Sequence, residues 1–544
     1  MRRTALPLAC ALLATGPFCF APIGDTDAGW HLALGRLISQ TGLPHTNALT
    51  WTARDSPWYD TSWLWDLVTY WLTARAGLAG LQAATLAVFA LALWAAALAC
   101  QRFHRHGAWL VLPLALLLLP RLTVRPHVAT WTGFACVLAL CVRGEGRGAA
   151  WRFACAPVIA LFGNLHSGAP FAAGLLGLFC AQEFLRRRAL AEVVAAALGV
   201  AALVANPGGS FNLRSLFWHL HVQRVVIIQE YLPPSWRGEP AFFLLLPLAI
   251  WLGLRARREH PALLAAALLF GVLALRADRM VYEFQIAVAP LFALSLGTLE
   301  KAGRRLPALI LTLAAVGSAA SHRFDEKFSA LRLTAAWDPA QLPVRTSAFA
   351  RDHNLRGRLF NAYDWGGYVE WALPETPAFV DGRVQCYPDD FFPRFYSASH
   401  SRAAFAEFLK SWDVEMALPS RTNPWLSGRG LLDPAAWALV DWDSVSELRL
   451  RRDVPRFRQI IGAFEYKRFA PGVPLLPSLA ALQRDDLLLF AREAERYARD
   501  HAGDQGATQA RCAALVRLRA SEAEGACAGI DPEVIAGART LPPF

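Results

Sequence analysis

The sequence predicts a polytopic α-helical membrane protein with a C-terminal soluble α/β domain and a helical tail. Three observations lead there. Apolar runs recur at 4–23, 79–100, 108–120, 127–142, 153–166, 169–185, 189–205, 240–254, 261–275, 281–299 and 306–320. These are about eleven candidate spans for a hydrocarbon core of roughly 30 Å. The density of charge then changes: residues 1–320 hold 26 basic and 14 acidic side chains, whereas the shorter stretch 321–544 holds 28 and 29. After His322, short apolar stretches alternate with helical ones, as in a water-soluble α/β domain. The expected organisation is a transmembrane domain over 1–320, an α/β domain over 321–455 and a helical tail over 456–544.

With 55% hydrophobic and 18% charged residues, the chain is neither disordered nor an ordinary soluble enzyme. Its net charge of +11 is an orientation signal. With the N-terminus inside, the inner connections hold 16 basic and 5 acidic residues, and the outer parts of the membrane region 10 and 9. That predicts a cytoplasmic N-terminus and an extracytoplasmic C-terminal domain, and leaves no basic surface for nucleic acid. A competing reading makes the first 23 residues a cleaved secretory signal, against which stand Pro17, Pro22 and the lack of an Ala-x-Ala site. Of the cysteines, only Cys512 and Cys527 form a plausible disulfide, which needs an oxidising compartment.

The outer loop 24–78 is the most informative segment. Trp30, Leu34, Leu37 and Ile38 have helical spacing from Asp27 to Ser39, with Gly42 and Pro44 as the stop. Trp58, Trp63, Trp65, Tyr70 and Trp71 fit a second helix in the membrane interface. Asp25 and Asp27 follow the first span, and Asp27 and His31 stand i, i+4 on one helical face. Two carboxylates and an imidazole can therefore converge at the membrane surface. The plainer alternative has one aspartate capping the helix and the other solvated.

This acidic pair, the His-containing helix, the Gly42-x-Pro44 turn, Pro57-Trp58 and Ser62-Trp63-Leu64 resemble the first outer loop of GT-C superfamily glycosyltransferases. Within the superfamily the chain looks most like bacterial mannosyltransferase-like and lipopolysaccharide core galacturonosyltransferase-like membrane proteins. The resemblance implies a GT-C-like membrane domain in the bacterial cytoplasmic membrane, with a lipid-linked sugar donor and an envelope acceptor. It also implies inverting displacement with Asp25 or Asp27 as general base. Asp25, Asp27 and His31 are a candidate hard-metal set for magnesium or manganese.

Other polar residues border the spans on the expected outer side: Arg121, Arg125-Pro126-His127, Asn164-Leu165-His166, Asn206-Pro207-Gly208-Gly209, Glu230, Asp278 and Arg279. Each has a structural alternative: arginines at headgroups, a packing histidine, a helix stop, an Asp278–Arg279 pair. In the functional reading Arg121, Arg125 and Arg279 grip a lipid-linked phosphate, with His31, His127, His166 and Glu230 at the substrate.

In the soluble part, Leu359-Phe360, Pro377 to Val380, Val414 to Leu418 and Trp437 to Val440 read as strands, and 389–397 and 402–411 as helices. Residues 361–368 followed by Phe379-Val380-Asp381-Gly382-Arg383 are similar to the Trp-Trp-Asp-Tyr-Gly region of oligosaccharyltransferase catalytic subunits. The order of residues differs, so peptide binding does not carry over. Asp364 is the acceptor-binding candidate there, against a role in capping a turn. A flippase for lipid-linked saccharide and a noncatalytic envelope scaffold are the alternative function classes. A flippase would show repeated halves, and none is detectable.

Overall fold

Alanine- and leucine-rich apolar runs satisfy their backbone groups internally, as a chain surrounded by lipid must. Ten of the eleven expected runs are helical. The structure, a computed structural model, describes residues 2–211, 213, 214, 217, 228–300, 332–470, 475–501 and 504–541. The eleventh run, 306–320, lies outside the described residues. Among those described, Arg3–Phe20, Leu78–Gln101, His127–Gly144 and Asp278–Leu296 are long and apolar enough to cross a membrane. Gly107–Arg121, Ala150–Gly163, Leu190–Val204, Pro240–Ala256 and Pro261–Arg276 are shorter apolar helices.

The chain divides into two compact units, Met1–Val344 with Tyr363–Ala398, and Arg345–Ala362 with Ser399–Phe544. This division differs from boundaries at 320 and 455, because residues 363–398 supply backbone partners to the first outer loop. Trp51 N–H donates to Ala378 O at 3.0 Å, and Ala378 N–H donates to Leu49 O at 3.2 Å.

In the first unit, α1 (Arg2–Thr15) leads into the outer loop, which contains α2 (Ala28–Thr41) and α3 (Trp63–Ala76). The expected stop is present: Gly42 has φ 86° and donates its N–H to Ile38 O at 3.0 Å. Trp58 is corrected: it lies before α3, buried, because the helix begins only at Trp63. Then come α4 (Leu78–Gln101), α5 (Val111–Leu118), α6 (His127–Gly144), α7 (Ala150–Phe153), α8 (Cys155–Gly163), α9 (Ala169–Arg187) and α10 (Leu190–Ala201). They are followed by α11 (Pro240–Ala256), α12 (Pro261–Arg276) and α13 (Val281–Glu300). Helix α4 packs on α6, α6 on α9, and α12 on α13, around a core of Phe, Leu and Ala side chains. Toward the expected inner side, buried Arg152 pairs with Glu192, and Glu145 meets His260 at 2.9 Å.

The second unit holds a four-stranded sheet of β1 (Leu359–Asn361), β2 (Met416–Leu418), β3 (Trp437–Trp442) and β4 (Glu447–Arg451), in the order β1-β2-β4-β3. Strands β1 and β2 are parallel, and the other pairs antiparallel. Two strand expectations are corrected. Pro377 to Val380 forms no sheet strand, since its backbone pairs with the outer loop. Strand β4, whose Leu448 and Leu450 are buried between half-buried charged neighbours, was not expected. Arg402–Ser411 is helical as expected, and Ser401 Oγ accepts the Ala404 N–H at 3.1 Å as its cap. The tail is a helical array in which Arg484–Asp500 packs on Gln505–Leu518, and Cys512 is disulfide-bonded to Cys527.

Candidate active site

Asp25 closes the first turn of α2. Its Oδ1 accepts the backbone N–H of Asp27 at 3.0 Å and of Ala28 at 3.3 Å, two donors that an α-helix leaves open at its start. Arg125, from the turn before α6, binds the same carboxylate through Nε at 2.5 and 2.6 Å and reaches Asp27 Oδ2 through Nη1 at 2.9 Å. One guanidinium therefore bridges the acidic pair. Asp25 is nearly enclosed, with 7% of its side chain exposed against 26% for Asp27.

Electrostatics separates the two further. Burial, with the neighbouring Asp25 charge, pushes the Asp27 carboxyl up to about 6, although Arg125 opposes the rise. For Arg125 burial works against charge, but Asp25, Asp27 and Glu230 outweigh it and hold the guanidinium protonated.

The His31 imidazole turns away from this pair, with Nδ1 2.7 Å from Asp66 Oδ1 on α3. Burial, with Arg125 nearby, lowers its basicity far below the ordinary histidine range, so it is neutral. Burial and Asp60 likewise raise the Asp66 carboxyl. The metal set of Asp25, Asp27 and His31 is thus corrected: among the described residues no three His, Cys, Asp or Glu side chains converge to hold an ion. Arg125 already supplies the positive charge between the carboxylates, and His31 Nδ1 is taken by Asp66.

The wall opposite α2 comes from late in the chain. In the helix Gly366–Ala372, Gly367 fits because a Cβ there would stand 2.9 Å from the Trp30 ring. A Cβ on Gly29 would stand 2.8 Å from Tyr368 Cα. Two glycines therefore let the helices touch. A Cβ on Gly382 would come within 2.6 Å of Asp27 Oδ1. The flanking Arg383 is fully buried, paired with Asp381 and with Glu370 at 3.4 Å, and its guanidinium lies 4.9 Å from the Trp58 ring centre. Asp364 is half-buried beside Tyr363. The Tyr363 phenol, raised first by burial, also feels the charges of Asp27 and Asp381.

A second cluster surrounds Glu230. Arg121 pairs with one of its oxygens and Arg279 Nη1 lies 3.3 Å from the other, while Arg279 also donates to Tyr231 Oη at 2.6 Å. Burial alone would disfavour a charged Glu230, but Arg121, Arg279 and Arg125 hold its carboxyl well below the usual range. Arg279 thus turns to Glu230, where an Asp278 pairing was an alternative. His127 Nε2 donates to Arg121 O at 2.9 Å, fixing the turn that carries both arginines. His166 Nδ1 lies 2.6 Å from Thr130 Oγ1. Asn164 Oδ1 accepts Trp63 Nε1 at 2.9 Å, tying the outer loop to the end of α8. Asn206 donates to Leu203 O and Gly209 O, closing its own turn.

No protein-family model and no curated protein matches this sequence. Solved structures do match. The Archaeoglobus fulgidus oligosaccharyltransferase tethered with an acceptor peptide aligns with a TM-score of 0.52 at 11% identity, covering 83% of this chain and 74% of that one. The same enzyme in complex with zinc and sulfate gives 0.51 at 10% identity, covering 95% and 86%. The chain shares the fold of these oligosaccharyltransferase structures. ArnT from Cupriavidus metallidurans bound to undecaprenyl phosphate aligns at 17% identity over 82% of this chain and 97% of that one, with a TM-score of 0.46.

Within this fold, Asp25, Asp27 and Arg125 come together, as do Arg121, Arg279 and Glu230. Asp60, Asp66 and Glu370, which pack around this arrangement, were not singled out in the sequence, and Arg383 was named only within the segment Phe379 to Arg383. Their signal was faint: Asp66 lies 35 residues from His31, a distance over which sequence spacing carries no information about contact.

Proposed function

We propose that the protein is an integral membrane glycosyltransferase that moves a sugar from a polyprenyl-phosphate donor to an envelope acceptor on the outer face of the bacterial cytoplasmic membrane. The reading includes eleven spans with the N-terminus inside, and residues 321–455 and 456–544 outside. The GT-C-type fold supports the general class. The Cys512–Cys527 bond accords with an oxidising exterior.

The observation that carries the reading is the unequal treatment of the acidic pair by Arg125. Asp25 is committed to two backbone donors and both Nε contacts, and acts as a positioning residue. Asp27 keeps the more exposed carboxylate and the raised basicity that suits a general base near neutral pH. In the proposed reaction an acceptor hydroxyl attacks the anomeric carbon as Asp27 takes its proton. The bond from that carbon to the phosphate oxygen breaks, and the polyprenyl phosphate leaves with its charge held by Arg121, Arg279 and Arg125. The configuration inverts because one displacement occurs. His31, His127 and His166 order the walls through the partners described above, and Asp364 is assigned to the acceptor.

The test is transfer from a polyprenyl-phosphate-linked sugar by purified protein in lipid nanodiscs. Asp27→Asn is expected to lower transfer by roughly 10²–10⁴ while the protein remains folded and inserted. Wild-type turnover by this variant would overturn the assignment.

A further inference from the structure

The cluster around Glu230 contains more charge than a structural ion pair needs. Two arginines from separate elements, Arg121 at the end of Leu119–Arg121 and Arg279 in Asp278–Met280, aim at one carboxylate. Among the described residues the ion pairs of both are with Glu230 alone. The segment bearing it is fastened downstream: Asp278 N–H donates to Leu232 O at 2.8 Å, and Tyr282 Oη donates to Glu239 at 2.8 Å. Its carboxylate therefore sits on a short turn whose far side is anchored to the element that carries Arg279.

We propose that Glu230 is a resident stand-in for phosphate, occupying the place between Arg121 and Arg279 and exchanging with the phosphate of the lipid carrier as that carrier binds and leaves. The proposal rests on reading those arginines as the phosphate grip. No covalent bond is made or broken at Glu230; one oxyanion replaces another at two guanidiniums. The chemistry fits in two respects. A carboxylate and a phosphate both present oxygens to a planar N–H fork, so the same arginine geometry serves either. The exchange also favours turnover. The donor is a phosphodiester with one charge, whereas the departing monoester carries about −1.5 to −2 near pH 7. Two bare arginines would retain that product. A tethered carboxylate competes for them and hastens its release.

The experiment measures binding of undecaprenyl phosphate to the full-length protein in nanodiscs, with uncharged undecaprenol and inorganic phosphate as comparators. Glu230→Gln is expected to bind undecaprenyl phosphate about tenfold more tightly than wild type, a gain of about 1.4 kcal/mol. Undecaprenol affinity should not change, and adding Arg121→Ala should remove the gain. In transfer assays the same variant should show a lower KM and a lower kcat with a burst of first product. Unchanged or weaker phosphate binding by folded Glu230→Gln overturns the proposal. Hydrogen exchange on the wild type provides a variant-free test: amides of 228–232 should exchange faster when undecaprenyl phosphate is bound, and unchanged or slower exchange overturns it. Tighter binding without any sugar transfer would keep the stand-in and remove the transferase reading. Transfer with no effect at Glu230 would do the reverse.

Discussion

Arg125 Nε lies 2.5 and 2.6 Å from the two carboxylate oxygens of Asp25 and gives Asp27 only a terminal nitrogen at 2.9 Å. One arginine thereby gives two aspartates of the same turn unequal surroundings, the usual way that two like carboxylates acquire distinct roles.

The first prediction follows from that asymmetry. Asp27→Asn should lower kcat/KM by roughly 10²–10⁴, the range associated with loss of a general base. In the wild type, activity should fall with an acidic limb centred at about 6, because the Asp27 carboxyl must be deprotonated to accept a proton. Asp25→Asn removes a negative neighbour that raises Asp27, so the limb should move to lower pH. A pH–rate profile of kcat/KM for the three proteins measures this; a limb that stays in place counts against Asp27 as the titrating group.

A second prediction concerns the contact between α2 and the helix Gly366–Ala372. Gly29→Ala places a methyl against the backbone of Gly367 and Tyr368, and Gly367→Ala places one against Thr26 O and the Trp30 ring, with 2.8 and 2.9 Å separations among the close approaches. Each should destabilise the first unit by on the order of 1–3 kcal/mol. Thermal unfolding in detergent should show both midpoints falling, with Ala at the open position Gly174 as the neutral control.

Arg383 supports the third. With 1% of its side chain exposed, it is the cation between Asp381 and Glu370. Arg383→Leu strands two buried carboxyls, and a loss of roughly 3–5 kcal/mol is expected. Arg383→Lys should not rescue, since a point charge cannot fork between two acceptors as a planar guanidinium does. Denaturant unfolding of the three proteins distinguishes this from a surface role, which would leave the midpoints alike.

The tail provides a fourth. The Cys512–Cys527 link closes 15 residues, and its removal by Cys512→Ser with Cys527→Ser should weaken the helical tail by about 3 kcal/mol. Faster hydrogen exchange over 505–518 would report it. In whole cells, a membrane-impermeant maleimide should label these cysteines only after reduction; labelling without reductant would contradict an oxidised exterior position.

Much of the helical layout was legible because hydrophobic length is a local property, and ten of the eleven runs needed no partner to be recognised. Gly42 likewise announced the end of α2. The strand expected at Pro377 to Val380 failed for a different reason: its β-like composition was genuine, but its backbone found Leu49 and Trp51 instead of the sheet. Strand β4 was overlooked because Arg449 and Arg451 hid the alternation of Leu448 and Leu450. At the site, residue types were legible and pairings were not. His31 faces Asp66 across 35 positions and Arg125 faces Asp25 across 100, contacts fixed only when helices pack.

The return of residues 363–398 to the first unit has a consequence for synthesis. Arg36 on α2 donates to the carbonyl of Trp371, 335 residues later. At roughly 5–20 residues per second, a ribosome needs tens of seconds to make that intervening chain. During this interval the loop that carries Asp25 and Asp27 has its glycine face uncovered and Asp27 lacks Gly382 beside it. The arrangement around Asp27 is therefore among the last parts of the first unit to form. A ribosome that stalls before residue 363 leaves the helices of the first unit around an incomplete candidate site.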